Sequence, residues 1–150
     1  MDVAIRTARP EDIPPMTDLL AELFNIEPDF SPDVEKQVRG LSVLIAGPPG
    51  KALVLVAELD GLVIGMATVQ TLISTAEGSR VGLVEDVVVH RNVRGRGIGT
   101  RLIETIVAWA RSQGLKRLQL LADRGNHPAL DFYESRNWSS TRLICLRHLP

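Results

Sequence analysis

A valine run followed by a glycine-rich loop is the part of this chain best suited to chemistry. Residues 87–99 have the sequence Val-Val-Val-His-Arg-Asn-Val-Arg-Gly-Arg-Gly-Ile-Gly, and a helical pattern begins at their end. Glycine has no Cβ, so Gly95, Gly97 and Gly99 permit a tight turn whose N–H groups point at one anion. Arg94 and Arg96 add positive charge. The segment therefore predicts a phosphate-binding loop that suits a diphosphate ligand.

Other uses of a glycine loop are less compatible with this segment. A Walker loop requires a lysine after its last glycine, whereas Thr100 follows Gly99 here. A Rossmann dinucleotide site has the spacing G-x-G-x-x-G, whereas this loop has G-x-G-x-G, although Asp123 lies where a ribose-binding acid is expected. Glycines that serve only a tight turn would leave Arg94 and Arg96 without a role. These three interpretations stay open as alternatives.

The surrounding sequence predicts the elements that position the loop. Alternating apolar residues and turn signals predict strands at residues 3–7, 52–58, 62–73, 83–89, 117–122 and 141–148. Asp60-Gly61 is a two-residue hairpin signal. Helical spacing predicts helices at residues 10–23, 32–46, 98–113 and 126–136. Residues 83–122 then form a strand–helix–strand unit, which is nearly always a right-handed parallel crossover.

Composition limits the class of protein. A chain of 150 residues is the usual size of one domain, so we expect a single domain over 1–150. A net charge of -1 argues against bulk binding of nucleic acid or an anionic membrane surface. No stretch reaches the roughly 18 apolar residues that would span a bilayer. Cys145 is the only cysteine, which fits a reducing compartment, and we expect a cytoplasmic protein with Cys145 as a buried hydrophobe.

Two motifs resemble those of the GCN5-related N-acetyltransferase (GNAT) superfamily. Residues 94–99, Arg-Gly-Arg-Gly-Ile-Gly, match its R/Q-x-x-G-x-G/A motif. Residues 126–134, Asn-His-Pro-Ala-Leu-Asp-Phe-Tyr-Glu, are similar to its N-x-x-A-x-x-F-Y-E segment, although Arg136-Asn137-Trp138 replaces the common L-G-F. The resemblance implies the GNAT fold, of the α/β (α+β) class. Its central sheet is mixed, mostly antiparallel, twisted and flanked by helices, and its parallel fourth and fifth strands splay apart to bind the cofactor.

The resemblance also implies acetyl-coenzyme A as cosubstrate, and the histidines and acids show no metal-ligand spacing. By similarity, the pyrophosphate lies on the amides of residues 94–100, and the main chain of Val87 and Val89 pairs with the pantetheine arm. Tyr133 is the expected general acid for the leaving thiolate. The cofactor-binding residues that the resemblance implies are Val87, Val88, Val89, Arg94, Gly95, Arg96, Gly97, Ile98, Gly99, Thr100, Asn126 and Tyr133.

An amine acceptor has to lose a proton, because a lysine-like ammonium with a pKa of about 10.4 leaves about one molecule in 2,500 neutral at pH 7. Glu85 and Asp86 are the acidic residues of the predicted strand. Strict alternation predicts Glu85 on the same face as Leu83 and Val87, and Asp86 on the other. We favour Glu85 as the base and keep Asp86 as its substitute. An ordinary ion pair with an arginine is the alternative for both, and His90 is expected to solvate the loop.

The expected function is transfer of an acetyl group from acetyl-coenzyme A directly to a primary amine of a small molecule or protein. The alternative is a non-catalytic acyl-coenzyme A-binding sensor or interaction module. The expected partners are a small-molecule or peptide amine acceptor and, by resemblance, a second copy in a homodimer, with no nucleic acid and no membrane. Glu27, Asp29, Asp33 and Glu35 make the expected acceptor region acidic, which suits either a cationic acceptor or a solvated loop.

Overall fold

The described part of the chain contains a mixed β-sheet. The computed structural model describes residues 2–26 and 32–150. The strands are β1 (Val3–Thr7), β2 (Ala52–Leu59), β3 (Leu62–Ser74), β4 (Ser79–Val89) and β5 (Leu118–Leu120). They lie in the order β1-β2-β3-β4-β5, with antiparallel pairing from β1 to β4 and parallel pairing of β4 with β5. The predicted GNAT-type sheet is therefore confirmed.

The helices are α1 (Ile13–Ile26), α2 (Val34–Ala46), α3 (Ile98–Ser112) and α4 (His127–Glu134), with 3-10 turns at Pro10–Asp12 and Arg91–Val93. The chain divides into two compact units, residues 1–119 and 120–150. The first contains β1 to β4 and α1 to α3, and the second contains α4. A single domain over 1–150 stays a prediction. No helix in the described residues combines the length and apolar character that a membrane span requires.

Helices cover both faces of the sheet in the first unit. One face carries Met66 and Val88, which pack in a buried cluster with Met16 of α1 and Leu41 of α2. Successive strand residues point to opposite faces, so Gly65 lies on the other face. A Cβ at Gly65 would lie 3.5 Å from Ile98 Cγ2, which places the start of α3 on that second face.

Strand β4 contains a β-bulge at Glu85. The register on either side is Thr68↔Asp86 and Val69↔Val84. Glu85 thus has no partner on β3, and the alternation shifts by one residue at this point. Leu83 and Asp86 consequently share the face that carries Met66, whereas Val87 lies on the face of α3. The prediction that Glu85 shares a face with Leu83 and Val87, with Asp86 opposite, is wrong because it assumed an unbroken strand.

The predicted hairpin at Asp60-Gly61 is confirmed. Asp60 has a φ of 51° and Gly61 a φ of 78°, the left-handed values that a type I′ turn requires. The first predicted helix is preceded by the 3-10 turn, so α1 begins at Ile13. Strand β4 begins earlier than predicted and β5 is shorter, because both limits depend on pairing with neighbouring strands.

The predicted strand at residues 141–148 is wrong. Residues 141–150 contain no helix or strand and are exposed, with Leu143 at 87% and Leu146 at 86% of full exposure. Cys145 is also exposed, so the expectation of a buried cysteine is wrong. Alternation and β-branched residues favour an extended chain, but strand stability comes from cross-strand neighbours and burial of a face.

An ion-pair network joins β1 to the start of α1 and to β2. Asp12, only 5% exposed, accepts bonds from Arg6 Nη1 at 2.7 Å, Arg6 Nη2 at 2.9 Å and the Arg9 N–H at 2.7 Å. Arg6 Nε also donates to Glu58 Oε2 at 3.0 Å. The hydrogen bonds from Arg6 hold the pKa of Asp12 below its usual range, although burial acts in the opposite direction.

We expect Asp12→Asn to lower the free energy of unfolding at pH 7 by about 1.5–3 kcal/mol, because charged hydrogen bonds to Arg6 and Arg9 are lost. The pKa of Asp12 in the folded state lies below the unfolded value of 3.8. Its contribution is therefore present above that value and is lost as the pH falls through the folded pKa. Urea unfolding from pH 7 to pH 3 should show the two proteins converging in acid. Glu11→Gln, an exposed neighbour, is the control, and a constant difference at all pH values would contradict the assignment.

Candidate functional site

The glycine loop before α3 adopts a conformation that requires glycine. Gly95 and Gly97 have φ values of 75° and 79°, in the left-handed region. A Cβ at either position would meet no atom of the described residues within 4 Å, so packing does not explain these glycines. Gly97 is the N-cap of α3, and the next residue, Ile98, is buried. The buried side chain of Ile98 therefore anchors the loop in the core. The sharp turn of the backbone lies just before Ile98, at Gly95 and Gly97.

The first turn of α3 directs its N–H groups away from the helix body. The bond from Arg101 N–H to Gly97 O, 3.1 Å long, begins the helical ladder. The N–H groups of Ile98 and Gly99 precede this bond and have no helical carbonyl four residues before them. They lie at the positive end of the helix dipole, beside the exposed side chain of Arg96. This arrangement can bind an anion such as phosphate.

The end of β4 presents main-chain groups at the edge that faces away from β3. His90 N–H donates to Ile64 O on β3 at 2.8 Å. Alternation then directs the main chain of Val88 toward β3 and that of Val87 and Val89 toward the opposite edge. The side chain of Val88 is buried in the core. The structure thus places the backbone groups of Val87 and Val89 at the edge away from β3, where Val89 O accepts from Arg94 Nε at 2.9 Å.

Strand β5 is anchored against the beginning of β4. Lys116 N–H donates to Arg80 O at 3.0 Å, and Gly82 N–H donates to Arg117 O at 2.8 Å. A Cβ at Gly82 would lie 2.6 Å from Leu118 Cδ2, so the missing side chain lets this segment approach closely. These bonds anchor β5 well before Val87, as the expected splay of the two strands requires.

Asp86 is bonded to a buried hydroxyl of β3. Thr68 Oγ1 donates to Asp86 Oδ2 at 2.8 Å and accepts from the Asp86 N–H at 3.3 Å. Burial raises the pKa of Asp86; the hydrogen bond from Thr68 opposes this effect, and the charge of Glu85 adds to it. A carboxylate with a raised pKa accepts a proton more readily at neutral pH than an ordinary aspartate. Its buried position and its bond to Thr68 make Asp86 a candidate base.

Glu85 lies at the bulge and is exposed, unlike its neighbour Asp86. Sequence reasoning favoured Glu85 because it assumed regular alternation. It also missed Thr68, a fully buried polar residue in β3. A threonine within the largely apolar strand was the available signal, although its partner could not be read from the sequence.

Glu22 of α1 joins the residues that lead into the glycine loop. Its Oε2 accepts from the Arg91 N–H at 3.3 Å and from Arg94 Nη2 at 3.4 Å. Its Oε1 lies 3.6 Å from His90 Nε2, while His90 Nδ1 accepts from the Asn92 N–H at 3.2 Å. His90 is thus a cap of the turn at 91–93. Sequence reasoning missed Glu22, which lies far from the loop in the chain and belongs to no motif.

The second unit contains α4 with Asn126 and Tyr133. Asn126 Oδ1 accepts from the Ala129 N–H at 3.3 Å, so Asn126 caps the helix. The ring of Tyr133 makes an edge contact with Phe132, with centroids 5.1 Å apart, and a tilted contact with Trp138 at 5.6 Å. Asn137 has a φ of 67°. Asparagine tolerates this left-handed conformation, which accounts for its presence where the family motif has glycine.

The acidic region expected near the acceptor is only partly described. Glu27 and Asp29 lie outside the described residues. Asp33 is the N-cap of α2, where its Oδ1 accepts from the Lys36 N–H at 3.1 Å, and Glu35 lies in the first helical turn. Asp33 therefore has a structural role. Among residues 2–26 and 32–150, no group of three or more histidine, cysteine or acidic side chains could hold a metal ion.

Comparison with known proteins identifies a family match and several relatives. The model of the acetyltransferase (GNAT) family matches residues 15–138. An uncharacterized N-acetyltransferase of Archaeoglobus fulgidus is 34% identical over 85 residues, which cover 56% of this chain and 58% of that protein. N-alpha-acetyltransferase 80 of Mus musculus is 51% identical over 51 residues, or 34% of this chain and 15% of that protein. The match thus spans less than two thirds of either relative.

A solved structure described as a transcriptional regulator from Bacillus halodurans C-125 has a similar fold. The TM-score is 0.86 at 25% sequence identity, and the alignment covers 99% of this chain and 100% of that chain. The resemblance in fold therefore extends beyond the segments that carry the two motifs.

We expect Gly97→Ala to destabilise the protein by about 1–2 kcal/mol, because an L-residue is strained at a left-handed φ. Gly40→Ala is a matched control, since a Cβ at Gly40 also meets nothing within 4 Å but the residue lies inside α2. That change should stabilise the protein by about 0.5–1 kcal/mol. Thermal and urea unfolding of both variants test the comparison. Equal effects of the two substitutions would contradict the strained loop conformation.

Proposed function

The chain belongs to the GNAT acetyltransferase family, and we propose that it transfers an acetyl group from acetyl-coenzyme A to a primary amine of a small molecule or protein. GNAT proteins are acyltransferases, and the curated relatives are named N-acetyltransferases. The observation that carries the proposal is the glycine loop at the start of α3. Gly95 and Gly97 hold it in a left-handed conformation, beside the β4 edge that carries the main chain of Val87 and Val89.

The residues around this loop fit acetyl-coenzyme A. The N–H groups of residues 94–100 and the dipole of α3 would bind the diphosphate, with Arg94 and Arg96 supplying positive charge. The main chain of Val87 and Val89 would pair with the amides of the pantetheine arm in the manner of an added strand. When bound, the cosubstrate supplies an acetyl group activated as a thioester.

Asp86 is the proposed base for the acceptor amine. It would take the proton from the amine, directly or through one water molecule, as the nitrogen bonds to the acetyl carbon and the carbon–sulfur bond breaks. The hydroxyl of Thr68 would hold the carboxylate in place. Asp86 replaces Glu85, the base favoured from the sequence, because burial raises the pKa of Asp86 whereas Glu85 lies exposed at the bulge.

Tyr133 is the proposed acid that protonates the leaving sulfur, and Asn126 the proposed contact for the pantetheine arm. Both roles rest on the match of residues 126–134 to the family motif. The contacts of the Tyr133 ring with Phe132 and Trp138 support a fixed ring orientation, which an acid positioned for proton transfer requires.

The acceptor is proposed as a primary amine that carries positive charge before it reacts. The carboxylate of Asp86 in β4 favours a cation. A polyamine, an amino sugar or aminoglycoside, an amino acid and a protein N-terminus all satisfy this description. The name of the mouse relative, an N-alpha-acetyltransferase, supports the last of these. A cytoplasmic location and a homodimer stay predictions.

A non-catalytic acyl-coenzyme A sensor is the second candidate. One observation favours it: the similar structure from Bacillus halodurans is described as a transcriptional regulator. A sensor would bind acetyl-coenzyme A without releasing thiol in the presence of any amine. Release of coenzyme A thiol across a panel of amines, at saturating acetyl-coenzyme A, therefore separates the two functions.

We expect Asp86→Asn to reduce amine-dependent thiol release at least about 100-fold, because general-base catalysis contributes 10²–10⁴-fold. Binding of acetyl-coenzyme A, followed by isothermal titration, should be retained. Glu85→Gln is the matched control, with the same loss of charge at the adjacent exposed residue, and should keep most of the activity.

The pH profile gives a second readout of the same role. The Asp86 carboxylate accepts a proton only above its pKa, which burial raises. The acidic limb of the rate should therefore lie at higher pH than the value of 3.8 for an ordinary aspartate. Full activity of Asp86→Asn, with the limb unchanged, would show that Asp86 is not the base.

A further inference from the structure

The guanidinium of Arg94 is held by two protein groups at the end of β4. Its Nε donates to Val89 O at 2.9 Å, and its Nη2 lies 3.4 Å from Glu22 Oε2. The side chain of Glu22 is 24% exposed and that of Arg94 is 46% exposed. Arg94 thus lies across the carbonyl assigned above to the pantetheine arm, and its charge faces the carboxylate of Glu22.

Glu22 is fixed by the segment that leads into the glycine loop. Its Oε2 also accepts from the Arg91 N–H, and its Oε1 faces His90 Nε2 at 3.6 Å. Because His90 Nδ1 accepts from the Asn92 N–H, the neutral imidazole carries its proton on Nε2, directed at Glu22. Groups from residues 90–94 therefore hold this one carboxylate against the end of β4.

We propose that Glu22 is a positioning residue that keeps Arg94 on the Val89 carbonyl until coenzyme A binds, when Arg94 moves to the diphosphate. The inference rests on the proposed function, since it assumes that the loop binds coenzyme A. A diphosphate carries more negative charge than a carboxylate and binds arginine in a bidentate manner, so it can displace Glu22. The same movement uncovers Val89 O for the pantetheine arm.

The movement of Arg94 from Glu22 to the diphosphate means that Glu22 affects how tightly coenzyme A is bound during turnover. Glu22 competes with the diphosphate for Arg94, so it weakens the binding of coenzyme A. Weaker binding speeds the release of the product, which often limits the rate of enzymes. Glu22 thereby keeps the loop ordered without ligand and limits how tightly the spent cosubstrate is held.

The test is isothermal titration of coenzyme A into the native protein and Glu22→Gln. The glutamine oxygen can still accept from the Arg91 N–H, so the substitution removes the charge and retains the contact. We expect the Kd for coenzyme A to fall about 3–10-fold, as befits one partly exposed charge. The KM for acetyl-coenzyme A should fall with it, with no increase in kcat. Glu11→Gln, which makes the same charge change before α1, should leave the Kd unchanged.

The same substitution in an Arg94→Gln variant shows whether Arg94 mediates the effect of Glu22 on the Kd for coenzyme A. In the Arg94→Gln variant, the additional substitution Glu22→Gln should change the Kd for coenzyme A less than twofold. The reason is that the guanidinium for which Glu22 and the diphosphate compete is absent. A native protein that fails to bind coenzyme A would overturn the proposed function and this inference together. If the native protein binds coenzyme A, two results would overturn the inference alone. One is that Glu22→Gln binds coenzyme A with the same or lower affinity than the native protein. The other is that Glu22→Gln increases the affinity as much in the Arg94→Gln background as in the native protein. Circular dichroism verifies that each variant is folded.

Discussion

The extra residue Glu85 in β4 is the constraint on which the proposed site depends. Gly82 donates its N–H to Arg117 at the β5 edge, and the main chain of Val87 is directed to that same edge. An unbroken strand would turn the main chains at positions 82 and 87 to opposite edges, because their separation is odd. Since Glu85 has no partner on β3, the alternation of main-chain direction shifts by one residue. The main chains of Gly82 and Val87 therefore face the same edge. The bulge thus lets β4 pair with β5 before residue 85 and present its main chain to a ligand at the same edge after residue 85.

The same bulge separates the edge proposed to bind the cosubstrate from the carboxylate proposed to accept the proton. Beyond it, the main chain of Val87 and Val89 points along the sheet toward the open edge. The side chain of Asp86 instead points from the sheet face shared with Met66 and Val88, which α1 and α2 cover. Thr68, on that face, bonds the carboxylate. In the proposed function, one strand therefore presents main chain to the thioester at its edge and the Asp86 carboxylate from its face.

Local signals in the sequence predicted much of this architecture. The Asp60-Gly61 hairpin, the apolar stripe of α3 and the glycine loop each follow from neighbouring residues, and the structure contains all three. The bulge has no such signature, because it arises from the pairing of β4 with Thr68 and Val69. The base favoured from the sequence therefore changed from Glu85 to Asp86.

Features that depend on partners distant in the chain were missed or predicted wrongly. Glu22 contacts the loop only because α1 crosses the end of β4. Residues 141–148 have the pattern of a strand, but a pattern does not supply the neighbour that a strand requires. Cys145 lies in that segment and is exposed for the same reason. Sequence identified the glycine loop, whereas the positions of the proposed base and of Glu22 required the fold.

Residue-resolved amide hydrogen exchange, measured by NMR with and without coenzyme A, tests the central claim most directly. The account predicts that two amides are protected in the free protein, that of His90 by its bond to Ile64 O and that of Val88 by its pairing with Met66 on β3. The amides of Val87 and Val89 should exchange faster and become protected only when coenzyme A is bound. Protection of Val87 in the free protein to the same degree as Val88, or no change at Val87 on saturation with coenzyme A, would contradict the account.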